Sequence, residues 1–204
     1  EAPALVLSSS GTTGRPKLIP FSQRQILIQA SSGRRLDGRQ VLFRPVPIEH
    51  NNVKRLSLYA LCHGATLVHA GARAGSTAEL CHGHSVDMLF LSPMQARALI
   101  DGAHGESAAL PDGTHLYISG SVIGAPLMEA ARRRLTPHTY GSYGATECGR
   151  VAIASPEPEA GPDGTVGRPP ANVSVEIVDE AGRILPPNAV GRIRVRVPGM
   201  AEGY

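Results

Sequence analysis

Short apolar runs alternate with helical stretches along the first part of the chain, and this alternation constrains the fold more than any other feature. The predicted strands are the apolar or β-branched runs at residues 4–7, 41–43, 65–69, 88–91 and 115–118. Strands that alternate with helices typically form a largely parallel sheet covered by those helices. We therefore predict a layered α/β core with a mostly parallel sheet.

Capping residues mark the boundaries of the predicted helices. Ser22 is a predicted N-cap, and so is Ser92, which a proline follows at the first helical position. Asn52 is predicted to cap a helix that ends at Gly64, because glycine readily adopts the left-handed conformation that stops a helix. A further helix is predicted over residues 125–135 and ends in basic residues.

The pattern changes after about residue 149. Residues 173–178 and 193–197 alternate between apolar and polar side chains, with a turn at 179–182 between them. This period of two predicts antiparallel strands with one solvated face. We therefore divide the chain into an α/β subdomain over residues 1–150 and an antiparallel β segment over 151–204.

The composition excludes several classes of protein. With 42% hydrophobic and 18% charged residues, the chain has the make-up of a globular protein rather than a disordered one. Its 3 cysteines are widely spaced and do not form the framework of a small secreted domain, which favours a cytoplasmic location. No stretch approaches the roughly 20 apolar residues of a membrane helix, so we expect no membrane span.

Two groups of side chains suggest zinc binding and nucleic-acid binding, but neither has the pattern that these functions require. The cysteines and histidines between residues 62 and 84 match no zinc-ligand spacing, and we interpret them as core cysteines and surface histidines. The arginines at 34–35 and 132–134 lie near predicted helix ends, where cations complement the helix dipole. No aromatic residues interleave with them for base stacking, so we expect no nucleic-acid partner.

Residues 8–17 carry the strongest chemical signal in the chain. Their sequence, SSSGTTGRPK, follows an apolar strand and combines hydroxyls, glycines and a lysine. Glycines let backbone N–H groups approach an anion, hydroxyls donate further hydrogen bonds, and lysine adds positive charge. The spacing is not that of the P-loop NTPases, and the alternative is a flexible glycine-serine linker. The candidate phosphate-binding residues are Ser9, Ser10, Gly11, Thr12, Thr13, Gly14 and Lys17.

Residues 10–17 resemble the signature loop of the adenylate-forming superfamily, which comprises acyl-CoA synthetases, peptide-synthetase adenylation domains and luciferases. Leu18 departs from the family pattern, which usually has glycine after the lysine. By itself the later YGATE sequence is most simply a surface turn. The motifs nevertheless follow in the family's order, so the resemblance covers nearly the whole chain. They are GSVIGAPL at 120–127, YGATE at 143–147, GTVGRP at 164–169 and GRIRVR at 191–196.

The resemblance implies roles for individual residues. Tyr143 would pack on the adenine of ATP, Thr146 would hydrogen-bond the α-phosphate, and Glu147 would help to hold Mg²⁺. Thr146, Glu147 and Lys17 are the expected catalytic residues. Because hydroxyls and amides of the loop already meet the phosphates, Lys17 is expected to add charge rather than transfer a proton. The other residues expected around the nucleotide are Gly120, Ser121, Ser142 and Gly144.

The implied reaction is ATP-dependent activation of a small carboxylic acid to an acyl-adenylate, with release of pyrophosphate. Transfer to coenzyme A or to the phosphopantetheine thiol of a carrier protein would follow. The family's lid lysine and ribose-binding aspartate lie beyond this sequence, so we expect a segment of a longer protein that is inactive alone. The rival interpretations are a non-catalytic nucleotide- or acyl-binding module, and an ATPase or kinase, whose motifs are absent.

His50 and Asn51 are the candidates for recognising the acid, together with Gly120. In the family's amino-acid-activating branch an aspartate at the position of Asn51 pairs with the substrate ammonium. His-Asn instead resembles the branch that activates 2-hydroxy-aryl acids such as salicylate. A neutral amide hydrogen-bonds a phenol hydroxyl but cannot neutralise a buried ammonium. A helix N-cap formed by Asn51 or Asn52 is the alternative, and fatty or other aryl acids remain open.

Overall fold

A six-stranded sheet forms the centre of the computed structural model, which describes residues 2–9, 17–32, 36–69, 75–103, 110–155 and 164–203. From edge to edge its strands are residues 66–68, 41–43, 88–91, 115–119, 139–145 and 149–154, and all neighbours are parallel except the last two. The predicted α/β core with a mostly parallel sheet is therefore confirmed. In chain order the elements are β1 (Leu5–Ser9), β2 (Lys17–Phe21), α1 (Gln23–Ser31), β3 (Val41–Phe43), α2 (Asn51–His63), β4 (Thr66–Val68), α3 (Thr77–Gly83), β5 (Met88–Leu91), α4 (Pro93–Gly102), β6 (His115–Ser119), α5 (Ala125–Arg134), β7 (Thr139–Ala145), β8 (Gly149–Ala154), β9 (Ser174–Val178) and β10 (Arg192–Arg196).

The chain leaves the neighbouring strands β3 and β5 in opposite directions. β3 leads through α2 to β4 on one side, whereas β5 leads through α4 to β6 on the other. Open α/β sheets bind ligands in the crevice outside the carboxyl ends of strands at such a switch point. The topology therefore favours this edge of the sheet as the place for a site.

Helices cover both faces of the sheet. Successive side chains of a strand point to opposite faces, so each internal strand contributes to two apolar clusters. The cluster under α2 consists of Leu36, Leu42, Leu56, Ala60, Met88, Phe90 and Tyr117. The opposite cluster includes Phe43, Leu89, Leu91, Leu116 and Ile118 from the strands and Cys81, Ala96, Leu127 and Ala131 from α3, α4 and α5. The core is thus built in three layers.

Capping boxes begin α1, α3 and α4. Ser22, Ser76 and Ser92 each accept a hydrogen bond from the backbone N–H three residues later, and a Gln or Glu side chain at that position bonds back. The predictions for Ser22 and Ser92 are confirmed, as is the helix stop at Gly64, where φ is 68°. α3 is absent from the predicted elements because 7 residues are too few to show a helical period. Among the described helices, none combines the length and apolar content needed to cross a membrane.

The start of α2 differs from the prediction. Its N-cap is His50, with φ −67° and ψ 130°, and the side chain makes no capping hydrogen bond. The His50 N–H donates to the Pro47 carbonyl (3.1 Å), and this turn ends the extended backbone at His50. Asn51 and Asn52 consequently lie inside the helix, so the interpretation of either residue as the N-cap is wrong.

β1 and β2 form an antiparallel hairpin of their own, and β2 is not among the predicted strands. Pro20 argues against a strand in a sheet interior. In this two-stranded sheet Pro20 faces outward, while Ile19 and Phe21 are buried. β7 and β8 are also absent from the prediction, because the glycine-rich β7 sequence TYGSYGA lacks a clear apolar alternation.

The predicted antiparallel segment at the end of the chain is confirmed as the β9–β10 hairpin, in which Ile193 lies opposite Ile177. Gly167 of the GTVGRP motif sits against β8, since a Cβ there would lie 2.0 Å from the Ile153 carbonyl oxygen. The division of the chain at residue 150 stays a proposal, and β8 crosses that position as an edge strand of the central sheet.

Candidate functional site

A cavity of about 450 Å³ opens at the carboxyl edge of the sheet. Residues from α2, from the β1–β2 hairpin and from the ends of β6 and β7 line it. The predicted site residues among them are Gly120, Ser142, Gly144 and Thr146. Several separate stretches of chain therefore meet at the edge where the topology favours ligand binding.

The YGATE motif forms the end of β7 and the turn into β8. A β-bulge between Tyr143 and Gly144 shifts the register of the two strands. A Cβ at position 144 would lie 2.1 Å from the Gly149 carbonyl oxygen, so the close approach of the strands requires glycine. Tyr143 is 39% exposed and Glu147 is half-buried. The motif is thus part strand and part turn, and Thr146 in the turn lines the cavity.

Arg55 on α2 reaches this turn. Its Nη2 atom donates a hydrogen bond to the Thr146 carbonyl oxygen. The guanidinium carbon also lies 5.0 Å from the centre of the Phe21 ring on β2. Burial lowers the pKa of Arg55, and the charges of Cys148 and Glu147 act in the opposite direction. Sequence reasoning missed Arg55, whose only signal is a basic residue within a helix that packs on the core.

Gly120 follows β6 and has a φ of 104°, which favours glycine. A Cβ at this position would meet no atom within 4 Å, so the space above the backbone is open. Ser119 lines the cavity, whereas Ser121 is exposed and does not. The open backbone at Gly120 is suited to close approach by a ligand.

The structure describes the two ends of the predicted phosphate loop. Ser9 at the end of β1 lies opposite Lys17 at the start of β2, so the hairpin closes the loop at its base. The candidate residues Ser10, Gly11, Thr12, Thr13 and Gly14 lie outside the described residues. Asn51 joins this region to α2, because its Nδ2 atom donates to the Ser8 carbonyl oxygen at 2.6 Å.

His50 and Asn51 lie beside the cavity but are not among the residues that line it. Their neighbour Asn52 does line it. The pKa of His50 is lowered by its partial burial and, to a smaller extent, by the charge of Arg44. The structure therefore places a second arginine near the pair that was singled out for acid recognition.

The wall of the cavity under α2 is aromatic and apolar. Phe90 stacks on Tyr117 with ring centres 5.1 Å apart, and Tyr117 stacks on Tyr140 at 4.9 Å. Phe90 and Tyr117 line the cavity together with Leu56 and Met88. Flat rings side by side form a surface suited to an aromatic or alkyl group.

The other clusters noted in the sequence have local roles. Within the described ranges no group of three or more His, Cys, Asp or Glu side chains could hold a metal ion. Burial raises the pKa of the Cys81 thiol to about 12, which disfavours the thiolate that binds metals. Arg132 donates to the Ser155 carbonyl oxygen (3.0 Å) and Arg134 to that of Ala103. The arginines at 34–35 lie outside the described residues.

A family model described as "AMP-binding enzyme" matches residues 1–204. An indoleacetate–CoA ligase of Aromatoleum aromaticum is 27% identical over 210 residues, which cover 100% of this chain and 41% of that protein. A hybrid PKS-NRPS synthetase of Dothistroma septosporum is 27% identical over 213 residues, 99% of this chain and 5% of that protein. A 3-hydroxybenzoate–CoA ligase of an Aromatoleum species is 26% identical over 96% of this chain and 39% of its own length. The chain thus spans well under half of these relatives.

Solved structures share the fold. The amide bond synthetase McbA from Marinactinospora thermotolerans superimposes with a TM-score of 0.80 at 27% identity, covering 98% of this chain and 41% of that protein. The O-succinylbenzoate coenzyme A synthetase of Bacillus subtilis, solved in complex with ATP and magnesium ion, gives a TM-score of 0.80 at 22% identity. That superposition covers 100% of this chain and 43% of the synthetase.

Proposed function

Because this chain belongs to the AMP-binding enzyme family, we propose that the protein containing it activates a carboxylic acid with ATP. A carboxylate oxygen of the acid bonds to the α-phosphorus as the bond from that phosphorus to the pyrophosphate oxygen breaks. The products are an acyl-adenylate and pyrophosphate. The observation that carries the proposal is that Gly120, Ser142 and Thr146 line the same cavity as the aromatic wall.

The residues of this chain act by positioning and by charge. Thr146 donates its hydroxyl to the α-phosphate, and Arg55 holds the backbone of that residue in place. The loop closed by Ser9 and Lys17 binds the outer phosphates, with Lys17 as a point charge. Tyr143 packs on the adenine. Holding both reactants in line supplies much of the acceleration in a displacement of this kind.

The residues present fit a magnesium ion bound mainly through the nucleotide. Mg²⁺ commonly uses one or two carboxylates together with phosphate oxygens and water, rather than a cage of protein ligands. Glu147 offers one such carboxylate beside Thr146, in agreement with the absence of an acidic cluster among the described residues. The ion would offset negative charge on the phosphates as pyrophosphate leaves.

An aryl acid is the substrate class that we propose. The aromatic wall formed by Phe90 and Tyr117 supports a flat ring in the cavity. Two relatives bear the names of aryl-acid ligases, for indoleacetate and 3-hydroxybenzoate. Asn51 lies beside this cavity and not in its lining. Because its Nδ2 atom is bonded to Ser8, its Oδ1 atom is the one that would accept a hydrogen bond from a phenol hydroxyl that extends beyond the lining.

The acceptor of the acyl group is a thiol in this proposal, either of coenzyme A or of a carrier protein's phosphopantetheine. Relatives of both kinds support it, since some are CoA ligases and others are modular synthetases. Incubating the adenylate-forming protein with coenzyme A, and separately with a phosphopantetheinylated carrier protein, distinguishes the two acceptors by mass spectrometry of the acylated thiol.

Pyrophosphate–ATP exchange by the full-length protein tests the proposed activity. We expect exchange with salicylate to exceed that with benzoate, octanoate or phenylalanine. A preference for phenylalanine would contradict the aryl-acid assignment, and equal use of salicylate and benzoate would remove the role given to Asn51. Exchange with none of a broad panel of acids would favour a non-catalytic nucleotide-binding module instead.

A further inference from the structure

Arg44 is a buried cation that the proposed reaction does not use. It is 7% exposed, and its Nε atom has no hydrogen-bond partner among the residues that the structure describes. Burial lowers its pKa, because desolvation disfavours the charged form. A guanidinium nevertheless stays protonated in proteins, so this side chain carries an uncompensated charge. An anion or acceptor that meets such a group in the functional state offsets the cost of its burial.

The position of Arg44 places it in the substrate cavity. It directly follows β3, at the switch point between β3 and β5, and it lines the cavity. The next residue is fixed as well, since the Nε2 atom of Gln95 on α4 donates to the Pro45 carbonyl oxygen at 3.0 Å. The backbone next to the arginine is therefore held by a hydrogen bond, and the arginine lines the space where ligands of such sheets bind.

The other charged residues that line the cavity already have contacts. Among the described lining residues the charged ones are Arg44, Arg55 and Arg150, with no Asp or Glu. Arg55 bonds the Thr146 carbonyl, and Arg150 lies over the Tyr117 ring with its guanidinium carbon 5.6 Å from the ring centre. Arg44 is the one of these three arginines for which neither kind of contact is found among the described residues, and the charged side chains in this lining are all positive.

The adenine and the α-phosphate are not suitable partners for Arg44. The residues assigned to these two groups lie at the ends of β6 and β7, and β3 is separated from them by β5. At the usual strand spacing, β3 lies roughly 10 Å from β6 and roughly 14 Å from β7. The part of the cavity next to Arg44 instead contains Met88 and Phe90 of β5, on the side assigned to the acid.

We propose that the acid activated by this protein carries a second carboxylate, and that Arg44 binds it while the first carboxylate reacts. This inference rests on the proposed adenylation and specifies its substrate. A guanidinium donates two parallel hydrogen bonds to a carboxylate, which gives geometric selectivity as well as charge neutralisation. The aromatic wall lies between Arg44 and the residues assigned to the α-phosphate. The substrate is therefore a diacid with a ring or short chain between its carboxylates.

Matched pairs of acids test the proposal on the full-length protein. Pyrophosphate exchange is measured with isophthalate, terephthalate and suberate, each against its own monomethyl ester. A site with a buried donor rejects analogues that lack the acceptor, so we expect kcat/KM for at least one diacid to exceed that of its ester about 10- to 100-fold. The proposal would be overturned if the enzyme used each ester with the same kcat/KM as its diacid in all three pairs. That result is also expected if a carboxylate elsewhere in the full chain already pairs with Arg44.

The variant Arg44→Met tests whether Arg44 is the residue that causes the preference for diacids. Its ratio of diacid to ester activity should fall to about one, whereas Arg97→Met, which alters an exposed arginine on α4, should keep the wild-type ratio. A preference that survives in Arg44→Met would refute the assignment to this residue. If Arg44→Met does not fold, the wild-type ratios alone decide.

The two hypotheses fail in different ways. If the protein catalyses exchange with monoacids and shows no preference for diacids, the proposed second carboxylate is refuted, whereas the proposed adenylation activity stands. Absence of exchange with every acid removes the adenylation itself, and the inference with it.

Discussion

Arg55 and Thr146 are 91 positions apart in the chain and are joined by a hydrogen bond from the arginine Nη2 atom to the threonine carbonyl oxygen. The bond ties α2 to the turn between β7 and β8. Because the same guanidinium lies over Phe21 on β2, one side chain connects three stretches of chain around the cavity. The geometry of the turn therefore depends on a residue outside every recognised motif.

Replacing Arg55 by methionine should weaken nucleotide binding. A hydrogen bond from a charged donor contributes about 1.5–3 kcal/mol, so we expect the KM for ATP in pyrophosphate exchange to rise about 10-fold or more. Arg97→Met on the exposed face of α4 serves as the control. An unchanged KM for ATP in Arg55→Met would show that the turn keeps its shape without the arginine.

The variant Gly144→Ala should destabilise the fold. The added Cβ would lie 2.1 Å from the Gly149 carbonyl oxygen, and relieving such a contact costs about 1–3 kcal/mol. Gly83→Ala at the end of α3 is the matched control, because no atom lies within 4 Å of a Cβ there. Thermal unfolding of the full-length protein measures both, and equal melting temperatures would contradict the close approach of β7 and β8.

Removal of the Glu147 carboxylate should act through Mg²⁺. We expect Glu147→Ala to lower adenylation about 10-fold or more and to raise the Mg²⁺ concentration needed for half-maximal activity. Glu129→Ala, on the exposed side of α5, controls for the loss of a surface charge. Wild-type activity with an unaltered Mg²⁺ dependence would exclude Glu147 as a metal ligand.

Substitutions of Lys17 separate charge from proton transfer. Arginine keeps the positive charge beside the phosphate loop, so Lys17→Arg should retain much more activity than Lys17→Ala. Steady-state adenylation rates of the two variants are compared at saturating ATP. Equal losses in both would indicate a specific chemical role for the amine.

The His50 side chain should report the charge of Arg44. Its pKa is held below the ordinary histidine value of about 6.5 by burial and by Arg44, so the folded protein binds fewer protons at His50 than the unfolded chain. The sign follows: this group lowers the free energy of unfolding as the pH falls below about 6.5. NMR titration of Arg44→Met should show the His50 pKa moving upward, and an unmoved value would place Arg44 away from His50.

Local patterns in the sequence were sufficient for much of the architecture. Serine caps at Ser22 and Ser92 and the glycine stop at Gly64 depend on hydrogen bonds and dihedral angles within a few residues. The buried runs of β3 and β5 are equally local signals. Strands without an apolar period, such as β2 with its proline and β7 with its glycines, are stabilised by pairing with distant or neighbouring strands and leave no such signal.

The sequence by itself determined the α/β class, the helix boundaries at Ser22, Gly64 and Ser92 and the order of the motifs, because each of these rests on residues that are neighbours in the chain. Only the tertiary structure decided that Asn51 bonds Ser8 rather than capping α2, that Arg55 holds the Thr146 turn, and that the Nε atom of Arg44 is buried without a hydrogen-bond partner in the described part of the chain. The physical reason is that hydrogen-bond partners and burial depend on which strands become neighbours in the sheet, and the order β4-β3-β5-β6-β7-β8 is a property of the packed chain.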